Sequence, residues 1–206
     1  ISPVQMDDDA GDLIGTDPAQ VVITVEGSVP QPPPDTGIEV MLGEGWSIFS
    51  TPVVLEPGNA TLMSIFDAEA QQAIRTVLMW DGAYWTIPDE NYVLKPLDAV
   101  YILVQEGSSA RAVLVPSDGV SAPPQKHLVA GLNLIGPAPS YGDSGFAAIP
   151  LDQMLISIEE APGGIMGYSV VISPPHGQQA WSYARGGTVR NMLPYKGYWV
   201  LSLIHI

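Results

Sequence analysis

Two blocks of this sequence occur twice, in the same order, and they constrain the fold more than any other feature. Gly45-Trp46-Ser47-Ile48-Phe49-Ser50 returns as Gly131-Leu132-Asn133-Leu134-Ile135-Gly136, each time a glycine turn running into an apolar strand. Farther on, Leu94-Lys95-Pro96-Leu97-Asp98-Ala99-Val100-Tyr101-Ile102-Leu103 returns without a gap as Met192-Leu193-Pro194-Tyr195-Lys196-Gly197-Tyr198-Trp199-Val200-Leu201. A repeat marked at both ends predicts one structural unit built twice. The copies cover residues 38–118 and 119–206.

Between the marked ends, both copies have the same order of elements. In the first, a strand over Ile38 to Leu42 precedes the glycine turn and a strand from Trp46 to Val54. Asn59 is placed to cap a helix over residues 59–76, with Leu62, Ile65, Phe66, Ala73, Ile74 and Val77 on one face. Val77 to Trp80 and Tyr84 to Ile87 flank Asp81-Gly82, a hairpin signal. A strand from Ala99 to Gln105 then turns into another from Arg111 to Val115. In the second copy, Lys126 to Ala130, Leu132 to Ile135, Gly167 to Ser173 and Tyr198 to Leu203 read as strands. A short helix over residues 150–160 would bury Leu151, Met154, Leu155 and Ile158. Gly 21 and Pro 20 in 206 residues supply the turns that many short strands need. The expected fold is mainly β with short helices: two tandem pseudo-symmetric β-rich repeats, each with one short α-helix. Trp46 and Leu132 should hold equivalent places, as should Tyr101 and Trp199 and also Trp85 and Trp181, with the first four largely buried. Packing the copies together, or passing the strand Arg111 to Val115 between them, would bury the apolar faces that each copy leaves over.

Residues 1–29 read as the C-terminal strands of a preceding immunoglobulin-like domain, with Gln20 to Glu26 a β-branched strand. Residues 30–37 form a linker whose Pro30, Pro32, Pro33 and Pro34 favour a stiff extended spacer. The chain opens on Ile1 and stops inside an apolar run at Ile206, as expected of a piece of a longer protein with its targeting signals elsewhere.

Seven Lys and Arg against 22 Asp and Glu leave a formal charge of −15, which repels phosphate backbones and makes nucleic acid a poor partner. No run is long enough to span a bilayer, so no membrane insertion is expected within this segment. The absence of cysteine removes disulfides and thiolate chemistry.

The combination of a Gly-Trp-Asn-Leu-Ile-like strand, a short helix, a Trp-bearing hairpin and a Pro-x-x-Gly-Tyr-Trp-Val-like strand resembles a family of tandem β repeats. These occur in large secreted or cell-envelope proteins of archaea and bacteria, commonly beside immunoglobulin-like or cohesin-like modules. Gly45, Trp46, Ile48 and Trp85 carry the resemblance in the first copy. Gly131, Asn133, Leu134, Ile135, Trp181, Pro194, Gly197, Tyr198 and Trp199 carry it in the second. The first copy departs from the pattern, with Ala99-Val100 in place of Gly-Tyr. The resemblance implies an extracellular or cell-surface location, other domains of a parent protein as partners, and no catalytic residues.

Each chemical motif has a structural counterpart. Gly142-Asp143-Ser144-Gly145 spells a serine-protease nucleophile motif, but the only histidine before it is His127, and the motif's continuation is replaced by Phe146-Ala147. His127, His176 and His205 form no ligand pair. Asp89-Glu90 and Glu159-Glu160 are adjacent carboxylates that point apart. Asp7, Asp8, Asp9, Asp12 and Asp17 form the densest oxygen-ligand cluster, and within it Asp7, Asp9 and Asp12 are a candidate calcium site that would stiffen the junction before the linker. Otherwise no cofactor is expected. Asn59-Ala60-Thr61 fits a glycosylation acceptor. Trp85, Tyr84, Trp181 and Tyr183 are candidates for stacking on a cell-surface glycan, the alternative being the β core. The leading expectation is a non-catalytic structural or adhesive module of a large cell-surface or secreted protein, the alternative a carbohydrate-binding module attached to an extracellular enzyme.

Overall fold

The computed structural model describes residues 21–24, 37–117, 123–138, 147–158, 160–161, 165–175 and 180–203; residues 21–24, 160–161 and 165–166 are described through their backbone alone. Asp7, Asp9 and Asp12, the Gly142-to-Gly145 motif, His176 and His205 lie outside the described residues. The fold is mainly β, with two short α-helices and several antiparallel sheets.

The chain order begins with β1 (Val21–Thr24), β2 (Ile38–Leu42) and β3 (Gly45–Ser50). Helix α1 (Ala68–Ala73) follows, then β4 (Ile74–Trp80), β5 (Trp85–Thr86), β6 (Ala99–Val104) and β7 (Ala110–Leu114). The second unit has β8 (Gln125–Leu128), β9 (Gly131–Ile135), β10 (Ile149–Pro150) and α2 (Leu151–Met154). After it come the short strands β11 (Glu160–Ala161) and β12 (Ile165–Met166), then β13 (Tyr168–Ser173), β14 (Trp181–Ala184), β15 (Asn191–Met192) and β16 (Tyr198–Ser202).

One four-stranded sheet runs β3-β6-β4-β5 and the other runs β9-β16-β13-β14, so corresponding strands take corresponding places. The register matches as well. Trp46 lies opposite Leu103 and Ile48 opposite Tyr101; Leu132 lies opposite Leu201 and Leu134 opposite Trp199. Each central strand has an irregularity at the same step, between Ile74 and Thr76 in one and between Tyr168 and Val170 in the other. Gly45 and Gly131 both enter their strands with positive φ, 87° and 99°, which only glycine adopts freely. Leu97 and Tyr195, at the same place in the second repeated block, share the less usual feature of a non-glycine residue at φ 73° and 63°.

The hairpins differ in register. Trp85 pairs with Trp80, whereas Trp181 pairs with Ser173 and so stands one step along from Trp85's place. Side chains alternate with a period of two, so one step puts the two tryptophans on opposite faces of their sheets. The expected equivalence of Trp85 and Trp181 is therefore corrected.

The helices are shorter than expected. Residues 60–66 form turns rather than helix because their backbone groups bond elsewhere: the Leu62 amide donates to the Tyr92 carbonyl at 2.7 Å, and the Leu94 amide to that of Ala60 at 3.0 Å. Leu62, Ile65 and Phe66 still reach the core. Asn59 does not cap α1; its Oδ1 accepts from the Val115 amide at 2.9 Å and its Nδ2 donates to the Ser64 carbonyl at 3.3 Å. The cap is Asp67, whose carboxylate accepts from the Ala70 amide at 2.8 Å. The Ala-Glu-Ala-Gln-Gln-Ala segment favours a helix, and β-branched Ile74, Thr76 and Val77 favour the strand that follows. In the second unit α2 and a 3-10 turn over Ile156–Ile158 bury Leu151, Met154, Leu155 and Ile158, as their spacing implied.

Each unit has its own core. One gathers Phe49, Leu62, Ile65, Phe66, Val100 and Ile102 with their neighbours; the other gathers Ile135, Leu151, Met154, Tyr168, Tyr198 and Val200 with theirs. Of the two ways to bury the leftover faces, the copies pack together; β7 pairs along the whole of β2, opposite Glu39 and its neighbours. The lead-in strand of the second unit, β8, pairs with β1.

Candidate functional site: the seam between the two units

Where the units meet, corresponding residues touch one another. Leu97, in the turn before β6, is fully buried in the core of the second unit. Tyr195, at the equivalent place, packs against the core of the first. The backbone repeats this exchange: the Ser50 amide donates to the Tyr195 carbonyl at 3.1 Å, and the Gly136 amide to the Leu97 carbonyl at 3.0 Å. Each unit thus extends the first strand of the other and covers an edge that would otherwise be open. The Ser50 hydroxyl adds a bond to the Lys196 carbonyl at 2.8 Å. The two residues that make the exchange, Leu97 and Tyr195, are also the two with non-glycine positive φ among the described residues.

The approach is close enough to dictate side-chain size. A Cβ on Gly136 would stand 2.5 Å from that of Ser50, its equivalent in the other copy. A Cβ on Gly197 would stand 2.8 Å from that of Ala99, again its equivalent, and 2.1 Å from the Ile48 methyl. At each place the seam has room for one Cβ only, so Ala99 in the first copy and Gly197 in the second are complementary. The Ala-against-Gly part of the difference noted in the sequence follows from this packing, while Val100 and Tyr198 lie in the cores of their own units.

A polar group closes one flank. Lys126 Nζ donates to Asp98 Oδ1 at 2.9 Å, and the Tyr92 hydroxyl to Asp98 Oδ2 at 2.6 Å. Burial, reinforced by the Asp98 carboxylate, pushes the Tyr92 hydroxyl well above the usual tyrosine range.

Ile48, Ala99 and Leu134 form a small apolar core between the sheets, with Trp80, Tyr101 and Trp199 packed over it. Trp85 sits on these rings nearly edge-on, 5.3 Å from Trp80, 5.3 Å from Tyr101 and 5.8 Å from Trp199 between centroids. Such edge-to-face pairs add stabilisation beyond the area they bury, ~1 kcal/mol each. Trp199 Nε1 donates to the Tyr101 hydroxyl at 3.0 Å, joining another equivalent pair. Trp80 Nε1 donates to the Leu132 carbonyl at 2.6 Å, across the seam. Burial pushes the Tyr101 hydroxyl up, opposed by the Trp199 N–H. The β4–β5 hairpin holds Trp85 in place: Asp81 accepts from the Tyr84 and Ala83 amides at 2.6 and 2.8 Å, which lowers its carboxyl, and Gly82 turns at φ 106° against Val129.

The rim of this cluster is open. Trp46 is 45% exposed and Trp85 46%, and Leu132 shows a comparable fraction. Trp46 and Leu132 do hold equivalent places, but neither is largely buried, and Tyr101 and Trp199 are intermediate. They lie near the outer end of their strands, beyond the point where the sheets meet.

The four candidate stacking residues fall into different settings. Trp85 lies at the seam, and Tyr84 stands 73% exposed at the hairpin tip beside it. Trp181 packs against the second core with its ring 5.6 Å from Tyr198, and Tyr183 is buried there. Burial raises the Tyr198 hydroxyl to about 12, opposed by the Leu193 amide that donates to it. The structure therefore brings Trp85 together with Trp46, Trp80, Tyr101 and Trp199, leaves Tyr84 exposed at the hairpin tip, and packs Trp181 and Tyr183 against the second core. Trp46, Ile48 and Ser50 alternate along β3 and so share one face; what that face meets is not visible in the spacing.

Among the described residues no group of three or more His, Cys, Asp or Glu is placed to hold a metal. His127 is exposed on β8, and Asp89 is exposed and accepts from the Asn91 amide in its own turn. No helix among the described residues is long and apolar enough to cross a membrane. In comparisons with known proteins, no family model, no curated protein and no solved structure matched the chain.

Proposed function

We propose that the chain is a non-catalytic structural or adhesive module of a large cell-surface or secreted protein. The observation that supports it best is the reciprocal seam. The first unit contributes the buried Leu97 to the core of the second, the second sets the partly buried Tyr195 against the core of the first, and each of these residues gives its carbonyl to an amide of the other unit. Two β units joined in this way behave as one stiff body, which suits a spacer or a presenting platform. The high acidity keeps a chain that is 46% hydrophobic soluble. Denaturation monitored at both seam and core should give one cooperative transition. Two well-separated transitions would overturn the reading of a rigid module, and turnover of a peptide, ester or glycoside substrate would overturn its non-catalytic part.

The exposed rim of Trp46 and Trp85 favours a second reading, a carbohydrate-binding surface. Its test is glycan-array binding that is lost in Trp85→Ala and Trp46→Ala, while the Tyr183→Phe protein binds as before. Calcium at Asp7, Asp9 and Asp12 is a separate part of the proposal; a melting temperature unchanged by millimolar calcium would remove it.

A further inference from the structure

The lead-in strands β2 and β8 are equivalent, with Leu42 and Leu128 buried at the same place before their glycine turns. In the first unit β2 pairs with β7, which places Leu42 opposite Ala110 and Glu39 opposite Val113. In the second unit Leu128 lies opposite Val21 and Gln125 opposite Thr24. Direction and register are the same, so β1 fills in the second unit the place that β7 fills in the first. The likeness continues in depth: β7 runs beside α1, and β1 beside the 3-10 turn at Ile156–Ile158. The connections are very different. β7 follows β6 through a tight turn in which the Ser108 amide donates to the Gln105 carbonyl at 3.1 Å. β1 precedes the whole first unit in the sequence and is separated from β2 by residues 25–37, which include the proline-rich run.

We propose that the β8 edge is a strand-acceptor site and that its occupant, β1, is interchangeable between copies of this chain, so that the N-terminal strand of one molecule completes the second unit of another. A strand that belongs to its unit through a tight turn has no competitor. A strand held by a long connection fills its place at an effective concentration in the millimolar range or below, which a second copy can approach. The chemistry is that of strand addition: main-chain hydrogen bonds to an open edge, with alternate side chains set against a core. Val21-Val22-Ile23-Thr24 is β-branched throughout, the composition such a site takes. Mutual exchange gives a closed dimer, and one-way donation gives an open head-to-tail chain.

The test pairs two variants of the full chain. Val22→Pro with Ile23→Pro disables the donor and leaves β8 open, because proline cannot pair within a sheet. Lys126→Pro with His127→Pro disables the acceptor and leaves β1 free. Neither variant should self-associate, and an equimolar mixture should form a one-to-one complex by light scattering. In the donor variant the β8 amides should lose the hydrogen-exchange protection they have in the parent chain, and a synthetic peptide of residues 20–26 should restore it. Should the donor variant lose its second unit altogether, recovery of the Trp181 near-ultraviolet signal on adding the peptide supports the site in the same way. A mixture that stays monomeric, β8 amides that remain protected without β1, or a peptide that restores neither protection nor signal each overturns it. None of these readouts depends on glycan binding or on the protein's role as a spacer.

Discussion

The first unit is completed by the strand that follows its own sheet, Ala110–Leu114, and the second by a strand that precedes the first in the sequence, Val21–Thr24. The two central sheets agree in strand order, in register and in the site of their irregularity. At the seam the copies differ in a complementary way, with Ser50 facing Gly136 and Ala99 facing Gly197. The two sheets therefore share their internal hydrogen bonding and differ at their edges and at the face they share. The first unit fits the second better than it would fit its own duplicate, since two Ala99-type surfaces would bring two Cβ atoms into space for one.

The largest expected effect tests this interdependence. Leu97 belongs to the first unit by sequence and to the core of the second by packing. Leu97→Ala should cost ~2–5 kcal/mol, the range for a buried leucine, and hydrogen exchange should show the loss in β9 and β16 before β3 and β6. Tyr195→Ala should reverse the pattern and loosen the first unit. If both substitutions weaken only the unit that carries them, the exchange of core residues is not energetically real.

Next in size is the steric fit. Gly197→Ala should destabilise by ~1–3 kcal/mol through overpacking against Ile48 and Ala99. In an Ile48→Ala background the same substitution should cost at least ~1 kcal/mol less, because the methyl group it meets is gone. An equal cost in both backgrounds would place the strain within the β16 backbone and not at the seam.

A smaller effect concerns the flank. Lys126→Met leaves Asp98 with the Tyr92 hydroxyl but without its cation, and should cost ~1 kcal/mol, the group being partly open to solvent. The double change Lys126→Met with Asp98→Asn should recover part of that loss, since no unpaired charge remains. A double variant less stable than either single one would contradict this account.

Much of the sheet could be read from the residues, and the seam could not. The bounds of β2, the closing strands and the Asp81-Gly82 hairpin follow from alternation and turn chemistry, which are local. Residues 60–66 have a helical spacing of apolar side chains yet form turns, because the Leu62 amide donates to the Tyr92 carbonyl while the Ala60 and Ile65 carbonyls accept from the Leu94 and Val113 amides. Trp181 was matched to Trp85 by residue type, but the pairing differs by one step, and one step changes the face. The positive φ of Leu97 and Tyr195 has no signature in residue type, since neither is Gly or Asn. Their shared role becomes visible only when both halves are in place. The strand character of residues 20–26 was legible, but its partner β8 was not, because strand composition names no partner.

The smallest expected effect is on the hairpin that carries Trp85, and it depends on pH. The Asp81 carboxylate accepts from the Tyr84 and Ala83 amides, and these bonds hold its folded-state pKa below the ordinary carboxylate value. A lowered folded pKa means that the contribution to stability is fully present above the unfolded value of about 3.9 and is lost as pH falls through the folded one. Between pH 5 and 8 the hairpin should not change. Below about pH 4 the Tyr84 amide proton should begin to move upfield as its acceptor is neutralised, with a midpoint below the ordinary aspartate value. Asp81→Asn keeps an acceptor at the same place without a titrating group, so its Tyr84 amide should stay flat over the same range. The Trp85 emission should follow the parent titration and ignore it in the variant, because the turn is what sets Trp85 on the rings of Trp80, Tyr101 and Trp199. A midpoint at or above the ordinary value, or a titration that persists in Asp81→Asn, would show that the turn is held by Gly82 and the contact with Val129 and not by the carboxylate.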